Sequence, residues 1–224
     1  YRPRGTTVES LLSESRFEAL PEDPELRLAA AAASLAIRDA GVEGNLEAAA
    51  LVLTWEAPGM DRLLRGLYSD LLKLQEAMPS DSRALFEHLY RTHKDASYSS
   101  QAFLHLHLLA RSFGIHGHTL FVNNACASGL YALDAAASLI SAGKADIAVV
   151  VGAESPCFPT KYLWFSEGGL HSTDGCLRPF DRNRTGLILG EGAAALVLEP
   201  MARARTRGAR IHAEYLGGHF NQEG

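Results

Sequence analysis

Apolar residues along this chain fall into patterns that separate strands from helices. Short unbroken apolar runs bounded by turn residues read as strands buried on both faces. Three are clear: 48–55 (Ala-Ala-Ala-Leu-Val-Leu-Thr-Trp), 119–122 and 147–151. Residues 187–189 and 193–198 read as two more strands joined through Gly190-Glu191-Gly192, and 210–216 as a last one. Longer stretches carry the 3.6-residue spacing of helices. Residues 25–40 are rich in Ala and Leu and end at Gly41, a C-cap residue. Residues 59–76 set Leu63, Leu64, Leu67, Leu71 and Leu72 at helical spacing. A helix over 83–91 follows the turn and helix-start signal Pro79-Ser80-Asp81-Ser82. Further helices are predicted over 99–113, closed by Gly114, over 130–142, and from Pro200 to Arg207.

The order of these elements carries a topology. Strand 119–122, helix 130–142 and strand 147–151 form a crossover unit, which makes the two strands parallel neighbours in one sheet. The helix is apolar almost all round, so it is expected to be buried on several sides of a layered α/β core. By contrast, 56–98 is polar enough to be peripheral, a helical cap or insertion within one domain spanning 1–224. Residues 155–174 mix Pro156, Pro159, Gly168 and Gly169 with Trp164 and Phe165. That is the composition of a pocket-lining loop, or of a surface excursion with packing aromatics.

One residue of the crossover unit stands out chemically. Cys126 lies in Asn123-Asn124-Ala125-Cys126-Ala127-Ser128-Gly129, between the strand and the helix. A cysteine among alanines is ordinarily a small buried hydrophobe. At a strand-to-helix turn, however, unpaired N–H groups and the helix dipole favour a thiolate, the nucleophilic form. The small residues on the C-terminal side also leave the Cys126 N–H free to face a substrate oxygen.

Composition removes several alternatives. The chain of 224 residues has 47% hydrophobic and 21% charged residues and a net charge of −5. With no long basic run, a nucleic-acid face is not expected; the cluster Arg203-Ala204-Arg205-Thr206-Arg207 reads as a solvated helix face. No apolar run approaches the ~20 residues of a membrane span. The first residues, Tyr-Arg-Pro-Arg, suggest a natural N-terminus further upstream. Three cysteines (126, 157, 176) make no disulfide framework, and a reducing cytoplasm is the expected compartment. Neither they nor the nine histidines show metal-site spacing, so no metal or other cofactor is expected.

The run Asn-Asn-Ala-Cys126-Ala-Ser-Gly resembles the active-site cysteine motif of β-ketoacyl synthases, the condensing enzymes of fatty-acid and polyketide synthesis. A second segment strengthens the resemblance: Arg178-Pro179-Phe180-Asp181, followed by Gly190-Glu191-Gly192-Ala193. Gly143-Lys144-Ala145-Asp146, Gly152-Ala153-Glu154 and 207–214 also match the family's pattern. The resemblance implies the N-terminal half of a thiolase-like fold, with helices layered on a mixed five-stranded sheet. The opening strand and the whole second half, which carries the family's two catalytic histidines, are not recognised here. His116-Gly117-His118-Thr119 reads as a pre-strand turn. Asn124, Thr185 and Leu187 depart from the residues usual in the family, Thr, Asp and Phe.

What the resemblance implies for function follows from these matches. Cys126 takes an acyl group from a carrier-protein thioester, its N–H helping to hold the oxyanion, for decarboxylative condensation with a malonyl thioester. Acyl carrier protein and a homodimeric or heterodimeric partner subunit are the implied partners. Trp164 and Phe165 are candidates for lining the acyl channel. Asp181 and Glu191 read better as structural groups than as acid and base, with Gly190 and Gly192 allowing close backbone packing near the nucleophile. Cys157 and Cys176 lack a strand-to-helix setting and read as structural or incidental. Two alternatives stay open: a non-condensing transacylase on the same fold, and a non-catalytic partner subunit of the chain-length-factor kind.

Overall fold

The computed structural model describes residues 7–74, 81–155 and 160–221. They form two compact units, one comprising Tyr1–Glu56, Ala102–Ala153 and Gly192–Gly224, the other Ala57–Gln101 and Glu154–Glu191.

The first unit is a three-layer α/β structure. Helix α1 (Val8–Leu11) and a 3-10 turn (Ser15–Phe17) lead to α2 (Pro24–Ala40). The start of α2 is fixed by Asp23, whose carboxylate accepts the N–H groups of Glu25 and Leu26, with Pro24 at the first helical position. Gly41 ends it in the left-handed conformation, φ 64°. Strand β1 (Ala50–Thr54) follows. After the second unit's helices α3 (Met60–Leu74) and α4 (Ser82–Ser99), the chain re-enters the first unit at α5 (Ala102–Phe113). It continues through β2 (Thr119–Val122), α6 (Ser128–Ser141) and β3 (Ala148–Glu154). Helix α7 (Thr160–Glu167) belongs to the second unit, and β4 (Gly192–Leu198) and α8 (Met201–Thr206) complete the first.

The sheet has the order β2-β1-β3-β4, with β2 and β3 both parallel to β1. Period-two geometry sends successive side chains to opposite faces. Leu51, Leu53, Val149 and Val151 pack into the larger core with α2 and α5; Ala50, Val52, Ala148 and Val150 pack with Ala132 and Ala136 of α6. Helices cover both faces, which is why these strands read as unbroken apolar runs rather than alternating ones.

The structure corrects several expectations. β2 and β3 are parallel but not neighbours, because β1 lies between them. The sheet has four strands among the described residues, not five. Of residues 187–189 only Leu187 makes a bridge, to His171, and 210–216 form no strand. Apolar alternation suits a strand, but a strand exists only where a neighbour supplies its backbone hydrogen bonds. Helix α4 runs on to Ser99, past the expected end at 91, and the loop 155–174 contains α7. Helix α6 is buried on one side only: Ser128, Ala132 and Ala136 are covered, whereas Leu130 is 64% exposed. The expectations for Pro156, Pro159 and Cys157 lie outside the described residues.

The second unit is organised differently. Asp81 caps α4 by accepting the N–H of Arg83. Asp70 of α3 receives the Nε2 atoms of His88 and His93 from α4 at 2.9 and 3.1 Å. Gly66 faces the His93 ring, where an added Cβ would stand 3.3 Å from Nδ1. Neither α3 nor α7 buries a residue fully.

Candidate active site

Three parallel strands end near one another in sequence-distant positions: β1 at Thr54, β2 at Val122 and β3 at Glu154. Binding sites of α/β sheets form beyond such carboxyl ends, where the chain leaves the sheet. Cys126 lies in the connection leaving β2, just ahead of α6.

The turn that presents it is held by its own polar groups. Asn123 accepts the Ala125 N–H at 3.2 Å and donates from Nδ2 to the Glu56 carbonyl at 3.1 Å, which ties the turn to the exit of β1. Ser128, buried at the first turn of α6, accepts the Asn124 N–H at 2.7 Å and donates to the Ala125 carbonyl at 2.6 Å. Between these clamps Ala125 adopts φ 49°. The left-handed region costs a residue with a Cβ about 1–2 kcal/mol, so the surrounding bonds have to impose it. The sharp reversal leaves Cys126 exposed, with a free thiol.

The helix start adds to this setting. Ala127 occupies the N-cap position of α6 and gives no side-chain hydrogen bond. The Ala127, Ser128 and Leu130 N–H groups are used inside the turn, donating to Asn124, Ala125 and Ala127 carbonyls. Among the described residues the Cys126 N–H has no partner. An exposed sulfur thus shares a residue with an unpaired donor at a helix N-terminus, where positive partial charge accumulates.

The other candidates lie in the second unit, except Gly192, which opens β4 of the first. Trp164 and Phe165 stand on α7 with ring centroids 6.2 Å apart and edge-to-face, and Trp164 is 69% exposed. His171 supports this helix from the following loop: its ring stacks on Tyr162 at 4.8 Å, and its Nε2 lies 3.1 Å from the Tyr162 carbonyl. The Asp181 carboxylate accepts the Asn183 N–H at 2.7 Å. Among the described residues an added Cβ at Gly190 or Gly192 meets nothing within 4 Å. Glu191 is exposed. Cys176 is also exposed, and its N–H is bonded to Ser172 and Asp174.

Sequence reasoning missed the group that organises this loop. Asp174 accepts from Arg178 at 2.7 Å, Thr185 at 2.8 Å, Ser172 at 3.0 Å and the Cys176 N–H at 3.1 Å. The Arg178 hydrogen bond leads the set that holds its carboxyl well below the usual carboxylate range. Thr185, noted only as a departure from a family pattern, is one of these donors. The available signal was local: an Asp two residues before Cys176 in a Ser-Thr-Asp-Gly run, the composition of an Asx turn. Gly186 is needed in the same loop, because at φ 142° an added Cβ would stand 2.5 Å from the His171 backbone.

Known proteins share this architecture. The ishigamide ketosynthase/chain length factor structure superposes with a TM-score of 0.67 at 29% identity, covering 86% of this chain and 45% of that one. A beta-ketoacyl synthase from Burkholderia phymatum STM815 gives 0.66 at 25% identity, covering 85% and 45%. The ketoacyl synthase alpha subunit of the tetracenomycin polyketide synthase of Streptomyces glaucescens is 38% identical over 109 residues, 46% of this chain and 26% of that protein. The chain spans about half the length, or less, of the curated relatives it matches. A family model described as the beta-ketoacyl synthase N-terminal domain matches residues 8–204, which take in the strand, the Cys126 turn and the helix described above. The chain therefore belongs to the β-ketoacyl synthase family and carries its N-terminal domain.

Proposed function

We propose that Cys126 is the acyl-accepting nucleophile of a 3-oxoacyl synthase-type acyltransferase working in fatty-acid or polyketide synthesis. The observation that carries this reading is the turn itself: an exposed thiol beside Ala125 at φ 49°, whose own N–H has no partner among the described residues. The sulfur attacks the carbonyl of a carrier-protein thioester, forming a new C–S bond while charge collects on oxygen. The Cys126 N–H donates to that oxyanion, a stabilisation of the kind that supplies much of an enzyme's rate. Collapse breaks the original C–S bond, and the carrier thiol leaves with a proton. The acyl-enzyme then awaits the carbanion that a malonyl thioester releases on losing CO2. That second step is assigned to the histidine pair of the family's other half. The helical segment 56–98 acts as a peripheral cap, and Trp164 and Phe165 as acyl-channel groups.

Acyl carrier protein is the proposed donor, with a second synthase subunit as partner. Among the described residues no helix is long and apolar enough to cross a membrane. The test is intact-mass analysis of the full-length protein after incubation with acyl-carrier thioesters. An acyl adduct that maps to Cys126 and disappears in Cys126→Ala is the expected result. A protein that forms no adduct, or forms the same one in Cys126→Ala, sinks the assignment. The first of these results would favour a non-catalytic partner subunit.

A further inference from the structure

The backbone ladder between β1 and β2 ends at the pair Thr54–Val122. The next link between the two chain segments is made by a side chain. Asn123 donates from Nδ2 to the Glu56 carbonyl at 3.1 Å, and its Oδ1 accepts the Ala125 N–H at 3.2 Å. One amide thus bridges the exit of β1 and the residue before Cys126. Its two partners are a carbonyl and an N–H, so the side chain has to donate and accept at once. An ionised aspartate has the same shape and can accept from Ala125, but it has no proton to give Glu56.

The carbonyl that takes this bond stands on a fixed post. Trp55, the residue before Glu56, is 2% exposed and belongs to the larger core. Its ring meets that of His105 on α5 edge-on, with centroids 5.0 Å apart. Ser128 bonds to Asn124 and Ala125 within the turn and sets its shape, whereas the Asn123 bond refers that shape to β1. We infer that Asn123 positions Cys126 for attack by fastening Ala125 to the exit of β1 through both ends of its amide. The inference rests on Cys126 being the acylated nucleophile. Asn123 touches no reacting atom and is a positioning residue. With the tie released, the thiol stays exposed and nucleophilic. It spends less time aligned with a thioester carbonyl, and its own N–H less time on the oxyanion.

The experiment compares wild type, Asn123→Ala and the isosteric Asn123→Asp in the full-length protein. The acylation rate from an acyl-carrier thioester at saturating donor is divided by the iodoacetamide alkylation rate of the same protein. That ratio corrects for thiol access and thiolate fraction, because alkylation needs no oxyanion alignment. It should fall about tenfold in both variants, since small misplacements of a reacting atom are costly. The half-saturating donor concentration should stay within about twofold. Amide hydrogen exchange over 124–128 should rise about fivefold or more in both, as a local opening becomes easier. A wild-type ratio in both variants overturns the positioning role. A wild-type ratio in Asn123→Asp alone means that the Ala125 bond suffices, and it overturns the tie to β1. A loss that disappears once donor saturates assigns Asn123 to donor binding and overturns the inference as well. A wild type that is alkylated but never acylated removes the nucleophile assignment, while the exchange data still decide whether the tie holds the turn.

Discussion

The two units of this chain are held together by different physics. In the first, Leu51, Val52, Leu53, Val149 and Val151 are completely buried, and α2, α5 and α6 close over both faces of the sheet. In the second, α3 and α7 bury nothing fully, and the visible organisers are carboxylates: Asp70 between two histidines, and Asp174 among four donors. Burial is non-directional and scales with area. Hydrogen bonds are directional, and each adds only about 1 kcal/mol net. The first unit should therefore resist unfolding as a block, and the second should open locally at lower cost.

The most severe test of that contrast is a pair of leucines. Leu53→Ala empties a site that is 0% exposed and should cost about 2–5 kcal/mol, read as a lowered urea midpoint. Leu72→Ala, at a position 64% exposed on α3, should stay within about 0.5 kcal/mol. Comparable losses from the two substitutions would remove the distinction.

The next effect is local. Asp174→Ala leaves Ser172, Thr185, Arg178 and the Cys176 N–H without their shared acceptor. Limited proteolysis within 170–187 should accelerate about tenfold, with the urea midpoint of the first unit unchanged. A pH dependence accompanies it. The folded carboxyl lies well below its unfolded value of about 3.9, chiefly through the Arg178 hydrogen bond. Its contribution is present above the unfolded value and lost as pH falls through the folded one. Loop protection should therefore persist well into acid, and Asp174→Asn should shorten that range. If the loop opens near pH 4 in wild type and variant alike, Asp174 is not its organiser.

The same division explains what could be read before the structure was known. The apolar runs of β1 and β3 were legible because both sheet faces are covered there, whereas β2 is a partly exposed edge strand, and α2 was legible because Asp23, Pro24 and Gly41 mark its ends. The Cys126 turn was legible as a motif, but its mechanics were not. Nothing in Asn-Asn-Ala-Cys-Ala-Ser-Gly announces that Ala125 takes a positive φ or that Ser128 bonds back across the turn. The failures fall where tertiary partners decide. Residues 210–216 alternate as a strand does, but among the described residues no strand pairs with them. Helix α6 reads as buried all round because Leu130, Leu133, Leu139 and Ile140 are apolar, whereas alanines alone provide its fully buried apolar contacts. Asp174 escaped notice because its donors are spread from 172 to 185 in the sequence.

The smallest expected effect sharpens the contrast by locating an exception inside the first unit. Segment 209–221 is fastened as the second unit is, by single polar contacts and one ring pair, although it lies against the helix that follows the Cys126 turn. The Tyr215 hydrogen bond to Asp134 raises the phenol above its ordinary value, since a phenolate there would have lost its proton and would face a carboxylate. Because the folded value is raised, the contact is complete below the unfolded value of about 10 and lost as pH climbs through the folded one. An absorbance titration of the seven tyrosines should show one ionising late. Tyr215→Phe should delete that phase, and Asp134→Ala should move it back among the others. The buried strands contain no group that titrates in this range, so the urea midpoint of the first unit should follow the bulk alkaline decline without a matching step. A step in that midpoint at the late ionisation would mean that segment 209–221 carries global stability, and the boundary between buried and polar-held parts would then have to be redrawn through α6 itself.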